Sequence, residues 1–301
     1  MFTGCGTALV TPFRSDRVLD EQALRALVNR QIDGGIDFLC PCGTTGESPT
    51  LSRDEHLRVV QITIEEARNR VPVLAGAGGY DTQEVIQRIA ELERLGVSGI
   101  LSVTPYYNKP TQEGLYQHYR AIAESTRLPI VVYSVQPRTA VNVEPATLVR
   151  LAEIGNIVGV KEASGSISQM ASILARVPDS FAVLSGDDAI TIPLIALGGR
   201  GVISVVSNEI PAEFAELTHA ALRGDFARAR QLQRKYQALM EINFVETSPG
   251  PVKFVMSRMG LLEPVWRLPM VAPQPASQQK IEMVLESLGL LSGVGVESAA
   301  R

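Results

Sequence analysis

The sharpest chemical signal in the sequence is Lys161, which ends the apolar run 157–160. An apolar run of this kind is typical of an interior strand, so the lysine at its end must tolerate partial burial. Burial disfavours the charged ammonium and leaves free amine, which is the form that attacks a ketone carbonyl. The alternative is an ion pair at the rim of a sheet, for which Glu162 is the neighbouring partner. On these residues alone, nucleophile and ion pair are about equally favoured.

Elimination points to the same residue, because the chain has only four other lysines. Lys109 lies in a polar loop, and Lys235, Lys253 and Lys280 fall in helical-period segments near the C-terminus. Since none of these four ends a strand-like apolar run, Lys161 is the candidate nucleophile.

Polar residues at or after the ends of other apolar runs could serve the same chemistry. The Tyr133 phenol could exchange protons with an amine during imine formation, or be an ordinary barrel tyrosine at a wet rim. Thr44 and Thr45 could grip a small carboxylate, or form a glycine-flanked turn with a helix cap. Arg138 could hold a second carboxylate through two hydrogen bonds, although a surface loop arginine is the more frequent case.

The elements that would position these residues alternate regularly between strands and helices. Apolar, β-rich runs and segments with helical periodicity follow one another, which predicts parallel strands with crossover helices. Strands are predicted at 6–10, 38–40, 73–75, 99–104, 130–133, 158–161, 182–185 and 201–205, and the helices between them include 21–32, 54–68, 83–95 and 113–125. Eight such units in roughly 220 residues predict an α/β fold, the (β/α)8 TIM barrel.

In such a barrel the active site lies at the C-terminal ends of the strands, so Thr44, Tyr133 and Lys161 should face one mouth. An open doubly wound sheet is the alternative fold, but it usually has a glycine-rich phosphate turn after its first strand. Here that turn reads Thr11-Pro12-Phe13. The barrel is therefore the predicted architecture.

A helical extension is expected after the barrel. The barrel is predicted to span 1–223 and the extension, packed on it, 224–301. Further helices are predicted at 226–241, 252–259 and 279–288, a Pro- and Ala-rich linker at 269–277 and a frayed tail at 293–301.

Composition and charge limit where this protein can be located and which partners it can bind. The chain has 301 residues, 45% of them hydrophobic, and a formal net charge of -4, so it can bury a large core but offers no basic stripe to nucleic acid. The N-terminus lacks the pattern of a signal peptide, and no apolar stretch reaches the roughly 20 residues of a membrane span. We therefore expect a cytoplasmic protein without membrane or nucleic-acid partners.

Cofactor and metal sites are weakly indicated. Cys5, Cys40 and Cys42 are too few for a disulfide framework and are expected to be reduced and buried. Cys40 and Cys42 form a Cys-x-Cys pair, but no histidine cluster accompanies it, so no metal is expected. The glycines at 198–201 precede the eighth strand, on the face opposite the mouth, and those at 76–79 lack the spacing of a dinucleotide fingerprint. No cofactor is expected.

Together these residues resemble the dihydrodipicolinate synthase/N-acetylneuraminate lyase family of Schiff-base aldolases, from about residue 6 to about residue 259. The motifs that match in order and spacing are Gly43-Thr44-Thr45-Gly46-Glu47, Pro105-Tyr106-Tyr107-Asn108-Lys109-Pro110, Tyr133, Gly159-Val160-Lys161-Glu162-Ala163-Ser164 and Leu184-Ser185-Gly186-Asp187-Asp188. The family has a (β/α)8 fold with a helical C-terminal extension, and its lysine forms an imine with pyruvate. The resemblance implies that role for Lys161.

The resemblance also implies a proton relay and an oligomer. Thr44, Tyr133 and Tyr107 would form the relay, with Tyr107 reaching into the site of a neighbouring subunit. The implied assembly is a homotetramer built from two tight dimers.

Substrate-binding residues are implied in the same way. Thr45 would bind the pyruvate carboxylate, and Gly186 and Ile203 would contribute backbone groups. Arg138 is similar to an arginine of the synthase branch, which holds the carboxylate of L-aspartate 4-semialdehyde. The implied reaction gives 4-hydroxy-tetrahydrodipicolinate and commits carbon to lysine and diaminopimelate biosynthesis.

Two departures from the branch leave the acceptor aldehyde open. Ser134 and Gln136 stand where the synthases usually have Asn and Pro. The alternative enzyme is a catabolic aldolase of the same family, which cleaves N-acetylneuraminate or a 2-keto-3-deoxy sugar acid. A non-catalytic barrel that senses keto acids is the alternative outside enzymes, but binding alone needs no proton relay.

Feedback inhibition by lysine is a further implied property. The residues that match the lysine site at the dimer interface of inhibited members are Ser48, His56, Glu84 and Tyr106. Tyr80 and Arg53 depart from the usual Asn and His. Because a bulky phenol at position 80 could block the pocket, weak or absent inhibition is predicted.

Overall fold

The computed structural model describes residues 2–291. Its strands are β1 (Gly4–Ala8), β2 (Phe38–Cys40), β3 (Leu74–Gly76), β4 (Gly99–Val103), β5 (Ile130–Ser134), β6 (Ile157–Glu162), β7 (Ala182–Ser185) and β8 (Gly201–Ser204). They are parallel and lie in the order β2-β1-β8-β7-β6-β5-β4-β3. A parallel bridge between Leu39 and Val73 joins β2 to β3. The sheet therefore closes, and the predicted (β/α)8 barrel is confirmed.

The helices are α1 (Glu21–Asp33), α2 (Arg53–Ala67), α3 (Thr82–Leu95), α4 (Gln112–Glu124), α5 (Gln136–Thr139), α6 (Pro145–Ala152), α7 (Ile167–Leu174), α8 (Thr191–Ala196), α9 (Pro211–Leu222), α10 (Phe226–Ile242), α11 (Gly250–Arg258) and α12 (Pro275–Leu288). Several of them begin with a side-chain cap. Ser52 and Glu55 form a capping box at the start of α2, and the Asp81 carboxylate accepts two backbone N–H groups at the start of α3. None of the helices of residues 2–291 has the length and apolar character needed to cross a bilayer.

Alternate residues of each strand face the barrel interior or the helices. In β5, Val131 and Tyr133 pack inside the barrel, whereas Val132 joins the apolar layer between sheet and helices. Phe2 lies near the N-terminal end of the interior, with its ring 5.4 Å from that of Phe38. Side chains thus fill the N-terminal part of the interior, and the cavity that contains Lys161 opens at the C-terminal ends of the strands, where TIM barrels have their active sites.

The C-terminal helices pack on the barrel wall through a shared apolar cluster. Its buried members include Val202, Phe214, Leu232, Met240, Phe254, Ile281 and Leu285. The cluster joins β8 and α9 to α10, α11 and α12, which confirms a packed helical extension. The division at 223/224 stays a prediction.

Most predicted boundaries differ from the structure by one or two residues, and one predicted segment lies beyond the described residues. β1 spans Gly4–Ala8 rather than 6–10, because its pairing with β8 begins at Gly4 and its pairing with β2 ends at Ala8. A Cβ at Gly6 would lie 2.1 Å from the Phe38 ring. α12 begins at Pro275 rather than 279, since proline suits the first position of a helix; this shortens the expected linker. The expected tail at 293–301 lies outside the described residues.

Candidate active site

Lys161 and Tyr133 lie side by side at the C-terminal mouth of the barrel. The register pairs Tyr133 on β5 with Lys161 on β6, and the Lys161 Nζ lies 4.4 Å from the centroid of the Tyr133 ring. Lys161 is 4% exposed and Tyr133 6% exposed. Adjacent parallel strands thus bring an amine and a phenol into one poorly solvated space, as the sequence predicted.

A cavity of about 600 Å³ opens at this mouth, a volume typical of small-ligand sites. The predicted residues that line it are Thr44, Thr45, Tyr133, Arg138, Lys161 and Gly186. They follow or end β2, β5, β6 and β7. The barrel therefore brings together residues that are up to 142 positions apart in the chain, from Thr44 to Gly186.

Glu162 is not the partner of Lys161. It is the next residue along β6, so its side chain faces the opposite side of the strand. There the carboxylate accepts the Ser164 N–H at 3.2 Å and the Gln169 Nε2–H at 2.8 Å. Burial raises the pKa of Glu162, and these hydrogen bonds oppose the shift. The ion-pair interpretation of Lys161 with Glu162 is therefore rejected.

The cysteines are buried thiols, as expected. Cys5, Cys40 and Cys42 are free and buried. Burial raises the pKa of the Cys40 thiol to about 12, against the opposing charge of Lys161, and burial also raises the pKa of Cys42. Within residues 2–291, no group of three or more His, Cys, Asp or Glu side chains is placed to hold a metal ion.

Arg138 reaches the cavity from the helical turn α5, just after β5. Its Nη2 donates to the backbone carbonyl of Ser248 at 2.9 Å, so a residue of the C-terminal extension holds it. Ser134 is buried on the outer face of β5, where its Oγ accepts the Val143 N–H at 3.2 Å. Gln136 is exposed at the start of α5. The two departures from the synthase pattern thus lie at the end of β5 and the start of α5, and neither side chain lines the cavity.

The sequence did not predict that the C-terminal extension lines the cavity. The contributing residues are Phe244, Glu246, Thr247 and Ser248, between α10 and α11. The Pro/Gly-rich stretch 248–251 marked a turn between two helices. It could not indicate where that turn lies, because its contact with the mouth depends on how the extension packs.

Tyr107 and Ile203 do not line the cavity. Tyr107 is 88% exposed on the loop after β4, with a φ of +69°. Ile203 on β8 is fully buried in the barrel interior, in the same apolar cluster as Tyr133. Val205, two residues later, lines the cavity instead. The relay role of Tyr107 and the backbone role of Ile203 remain predictions.

A second, smaller cavity of about 240 Å³ shares Thr44, Tyr133 and Arg138 with the first. Of the four residues matched to a lysine site, three line it: Ser48, His56 and Tyr106. Glu84 is exposed on α3 and does not.

Arg88, which the sequence did not single out, also lines the smaller cavity and brings a positive charge into it. Burial and, to a smaller degree, the charge of Arg88 lower the pKa of His56 to about 4. Arg88 likewise opposes the rise that burial causes in the pKa of Tyr106. Tyr106, which lines this cavity, is also part of an aromatic pair, since the Tyr80 ring lies edge-on to it with centroids 5.4 Å apart.

Comparisons with known proteins agree with these features. Residues 1–288 match the model of the Dihydrodipicolinate synthetase family. A relative from Koribacter versatilis, named 4-hydroxy-tetrahydrodipicolinate synthase, is 52% identical over 294 residues, which cover 97% of this chain and 98% of that protein.

Two solved structures are similar over nearly the whole chain. A dihydrodipicolinate synthase from Acinetobacter baumannii, complexed with pyruvate, superposes with a TM-score of 0.95 at 40% identity, covering 97% of this chain and 100% of that one. A monomeric dihydrodipicolinate synthase variant superposes with a TM-score of 0.94 at 43% identity, covering 96% of this chain and 98% of that one.

Proposed function

The chain belongs to the dihydrodipicolinate synthetase family, and on this premise we propose that it condenses pyruvate with L-aspartate 4-semialdehyde to give 4-hydroxy-tetrahydrodipicolinate. The observation that carries the proposal is the buried Lys161 amine beside the Tyr133 ring, inside a cavity of small-ligand size. A poorly solvated amine next to a phenol suits imine chemistry on a keto acid. The enzyme is a Schiff-base, pyruvate-dependent lyase.

The first half of the reaction forms an enamine on Lys161. The neutral Nζ attacks the keto carbon of pyruvate, and the carbinolamine oxygen leaves as water once it has received a proton. Tyr133 and Thr44 transfer the protons of these steps. The resulting iminium withdraws electrons from the methyl carbon, which loses a proton and becomes nucleophilic.

The second half joins the acceptor. The enamine carbon attacks the aldehyde, whose oxygen is protonated to a hydroxyl. The amine of the bound product then displaces Lys161 by transimination, which closes the ring and returns the free lysine. Arg138 holds the acceptor carboxylate, and its hydrogen bond to the Ser248 carbonyl supports that orientation.

The pyruvate carboxylate is assigned to Thr45, together with backbone groups of Gly186 and Ile203. Thr45 is 4% exposed, so its hydroxyl can bind a carboxylate with little competition from water. A Cβ at position 186 would lie 2.5 Å from the Ala163 Cβ, which favours glycine there and leaves its backbone open to the cavity.

A catabolic aldolase is not favoured. The matching relative from Koribacter versatilis has the name of the synthase and covers nearly the whole chain. A sugar acceptor would also offer hydroxyls to Arg138, whereas aspartate semialdehyde offers a carboxylate.

Borohydride reduction with pyruvate, followed by mass spectrometry, tests the covalent mechanism. We expect one pyruvyl adduct on Lys161, none in Lys161→Ala, and an unchanged adduct in the control Lys280→Ala, which removes an exposed lysine of α12. Absence of the adduct in the unmodified enzyme would disprove the mechanism.

Turnover of pyruvate with three acceptors tests the substrate. Aspartate semialdehyde should exceed N-acetylmannosamine and glyceraldehyde, and Arg138→Ala should lose that preference. Preference for a sugar would keep the Lys161 mechanism but assign the chain to the catabolic branch.

We also propose that the enzyme is a homotetramer of two tight dimers. Within each dimer, Tyr107 of one subunit completes the proton relay of the other. The 88% exposure of Tyr107 on a loop outside its own cavity supports this arrangement.

A further inference from the structure

Glu47 is a buried carboxylate that the proposed chemistry does not use. It follows Thr44 and Thr45 in the same loop, and its side chain is fully buried, as is that of Lys253 on α11. The Lys253 Nζ donates to the Glu47 Oε1 at 2.5 Å, and the Arg267 N–H donates to Oε2 at 3.2 Å. Both carboxylate oxygens are therefore held by the C-terminal extension.

The ion pair is packed against an aromatic ring. The Lys253 Nζ lies 4.4 Å from the centroid of the buried Phe13 ring, and the Arg267 guanidinium carbon lies 4.2 Å from it. A charge buried against an aromatic ring cannot be rehydrated without opening the packing. Since a buried ion that loses its partner is strongly disfavoured, the position of Glu47 is coupled to that of Lys253.

The loop before Glu47 is tightly folded, so a fixed side chain at its end also fixes the backbone. Glu47 has a φ of +52°, a conformation that non-glycine residues rarely adopt. Its N–H donates to the Thr44 carbonyl at 3.1 Å, and the Gly46 carbonyl accepts the Thr11 hydroxyl at 2.7 Å. Releasing the Glu47 carboxylate would loosen the turn that presents Thr44 and Thr45.

Near the start of α11, the extension also holds two residues that belong to the barrel, Arg138 and Glu47. The Ser248 carbonyl, two residues before the helix, holds Arg138. Lys253, inside the helix, holds Glu47. The start of α11 and the turn before it thus hold both proposed subsites. Lys253 holds the loop of the pyruvate subsite, and Ser248 holds the Arg138 side chain of the acceptor subsite.

We propose that Lys253 and Glu47 are positioning residues, an ion pair through which the C-terminal extension fixes Thr44 and Thr45 in the catalytic cavity. The inference rests on the proposed function, which assigns these threonines to proton transfer and pyruvate binding. A displacement of about 1 Å in such groups can lower a rate by about a hundredfold, so a modest loosening of the loop has a large kinetic effect.

The test compares Glu47→Gln with the double variant Glu47→Gln/Lys253→Met and with the control Glu209→Gln. Glu209 is also fully buried and also contacts the extension, through a 3.2 Å hydrogen bond from Asn243, but it does not line the cavity. For each variant we would measure the melting temperature, kcat, and the pyruvate concentration that half-saturates borohydride trapping on Lys161.

Glu47→Gln should raise the half-saturating pyruvate concentration about tenfold or more and lower kcat to a similar degree. Glu209→Gln should lower the melting temperature but leave both kinetic values unchanged. The double variant has no unpaired buried charge and should regain stability relative to Glu47→Gln, while its pyruvate saturation stays impaired. If Glu47→Gln fails to fold, the double variant still measures the effect of removing the ion pair on pyruvate saturation and kcat.

Two results would overturn the positioning role: normal pyruvate saturation and kcat in a folded double variant, or an equal kinetic loss in Glu209→Gln. Failure of the proposed pyruvate chemistry on Lys161 is distinguishable from both, because the unmodified enzyme would then form no trapped adduct.

Discussion

The two side chains at the centre of the proposed chemistry are both nearly inaccessible to water, yet they line an open cavity. Burial suits them to different tasks. Lys161 needs a position in which free amine is available, and Tyr133 needs a fixed phenol close to that amine. At the scale of single residues, we therefore expect that loss of the Tyr133 hydroxyl alone lowers kcat.

Tyr133→Phe tests this expectation. It keeps the ring that lies against Lys161 and removes only the proton-transfer group, so kcat should fall by roughly a hundredfold or more. The matched control is Tyr119→Phe, which removes a buried hydroxyl that donates to the Ser102 carbonyl at 3.0 Å, away from the cavity. The control should lose about 1 kcal/mol of stability and keep its kcat. Equal kcat values for the two variants would remove Tyr133 from the relay.

Weak or absent inhibition by lysine is a second prediction at this scale. In the smaller cavity, Arg88 repels the ammonium groups of lysine, and Tyr80 packs on Tyr106, which lines the cavity. Initial rates at increasing lysine should stay nearly constant into the millimolar range, and Arg88→Leu should increase any inhibition. Clear inhibition by sub-millimolar lysine would contradict the prediction.

At the scale of the elements, strand register decides which side chains reach the site. Side chains along β6 alternate between the two faces, so Lys161 enters the cavity and Glu162 contacts α7. A shift of one residue would exchange them. Side-chain contacts between elements are specific as well. One of them is the hydrogen bond between the His219 imidazole on α9 and the Asp37 carboxylate next to β2.

The contact between α9 and the start of β2 should make stability depend on pH. His219 Nε2 lies 2.7 Å from the Asp37 carboxylate, and this hydrogen bond raises the pKa of His219 despite partial burial. The contribution is complete below the unfolded pKa of about 6.5 and is lost as the pH rises through the higher folded pKa. Because both side chains are about one-third exposed, we expect less than about 1 kcal/mol.

Melting temperatures of the unmodified enzyme and His219→Gln would measure this contribution. Their difference should be largest near pH 5.5 and should shrink toward about pH 8.5. Burial lowers the pKa of His56 and of His118 to about 4, so these two groups destabilise the fold as the pH falls below about 6.5. Both proteins contain them, so this effect cancels in the difference between the two melting temperatures. A difference that is constant across this range would exclude the linkage.

At the scale of the whole molecule, the active site extends beyond the barrel. The C-terminal extension supplies part of the cavity wall and holds both Arg138 and Glu47. The one predicted relay residue that stays far from the cavity is Tyr107, on an exposed loop. Completion of the site by a second subunit is therefore the property to test in the assembled protein.

Mixing two inactive variants tests whether Tyr107 crosses between subunits. Lys161→Ala and Tyr107→Phe should each have low activity alone. In a mixed dimer, one site would combine Lys161 of one subunit with Tyr107 of the other, so activity should return after subunit exchange. No recovery in verified mixed oligomers would show that Tyr107 does not act across the interface, and sedimentation would separately give the assembly size.

The sequence by itself determined the barrel and most of the candidate site, because periodic apolar runs predict parallel strands and residues such as Thr44, Tyr133 and Lys161 stand at their ends. These are local properties, readable from neighbours in the chain. Only the tertiary structure decided that Arg88 lines the smaller cavity and that Lys253 binds Glu47. Each of these depends on packing between distant segments, and the last joins residues 206 positions apart, a contact that no local pattern can specify.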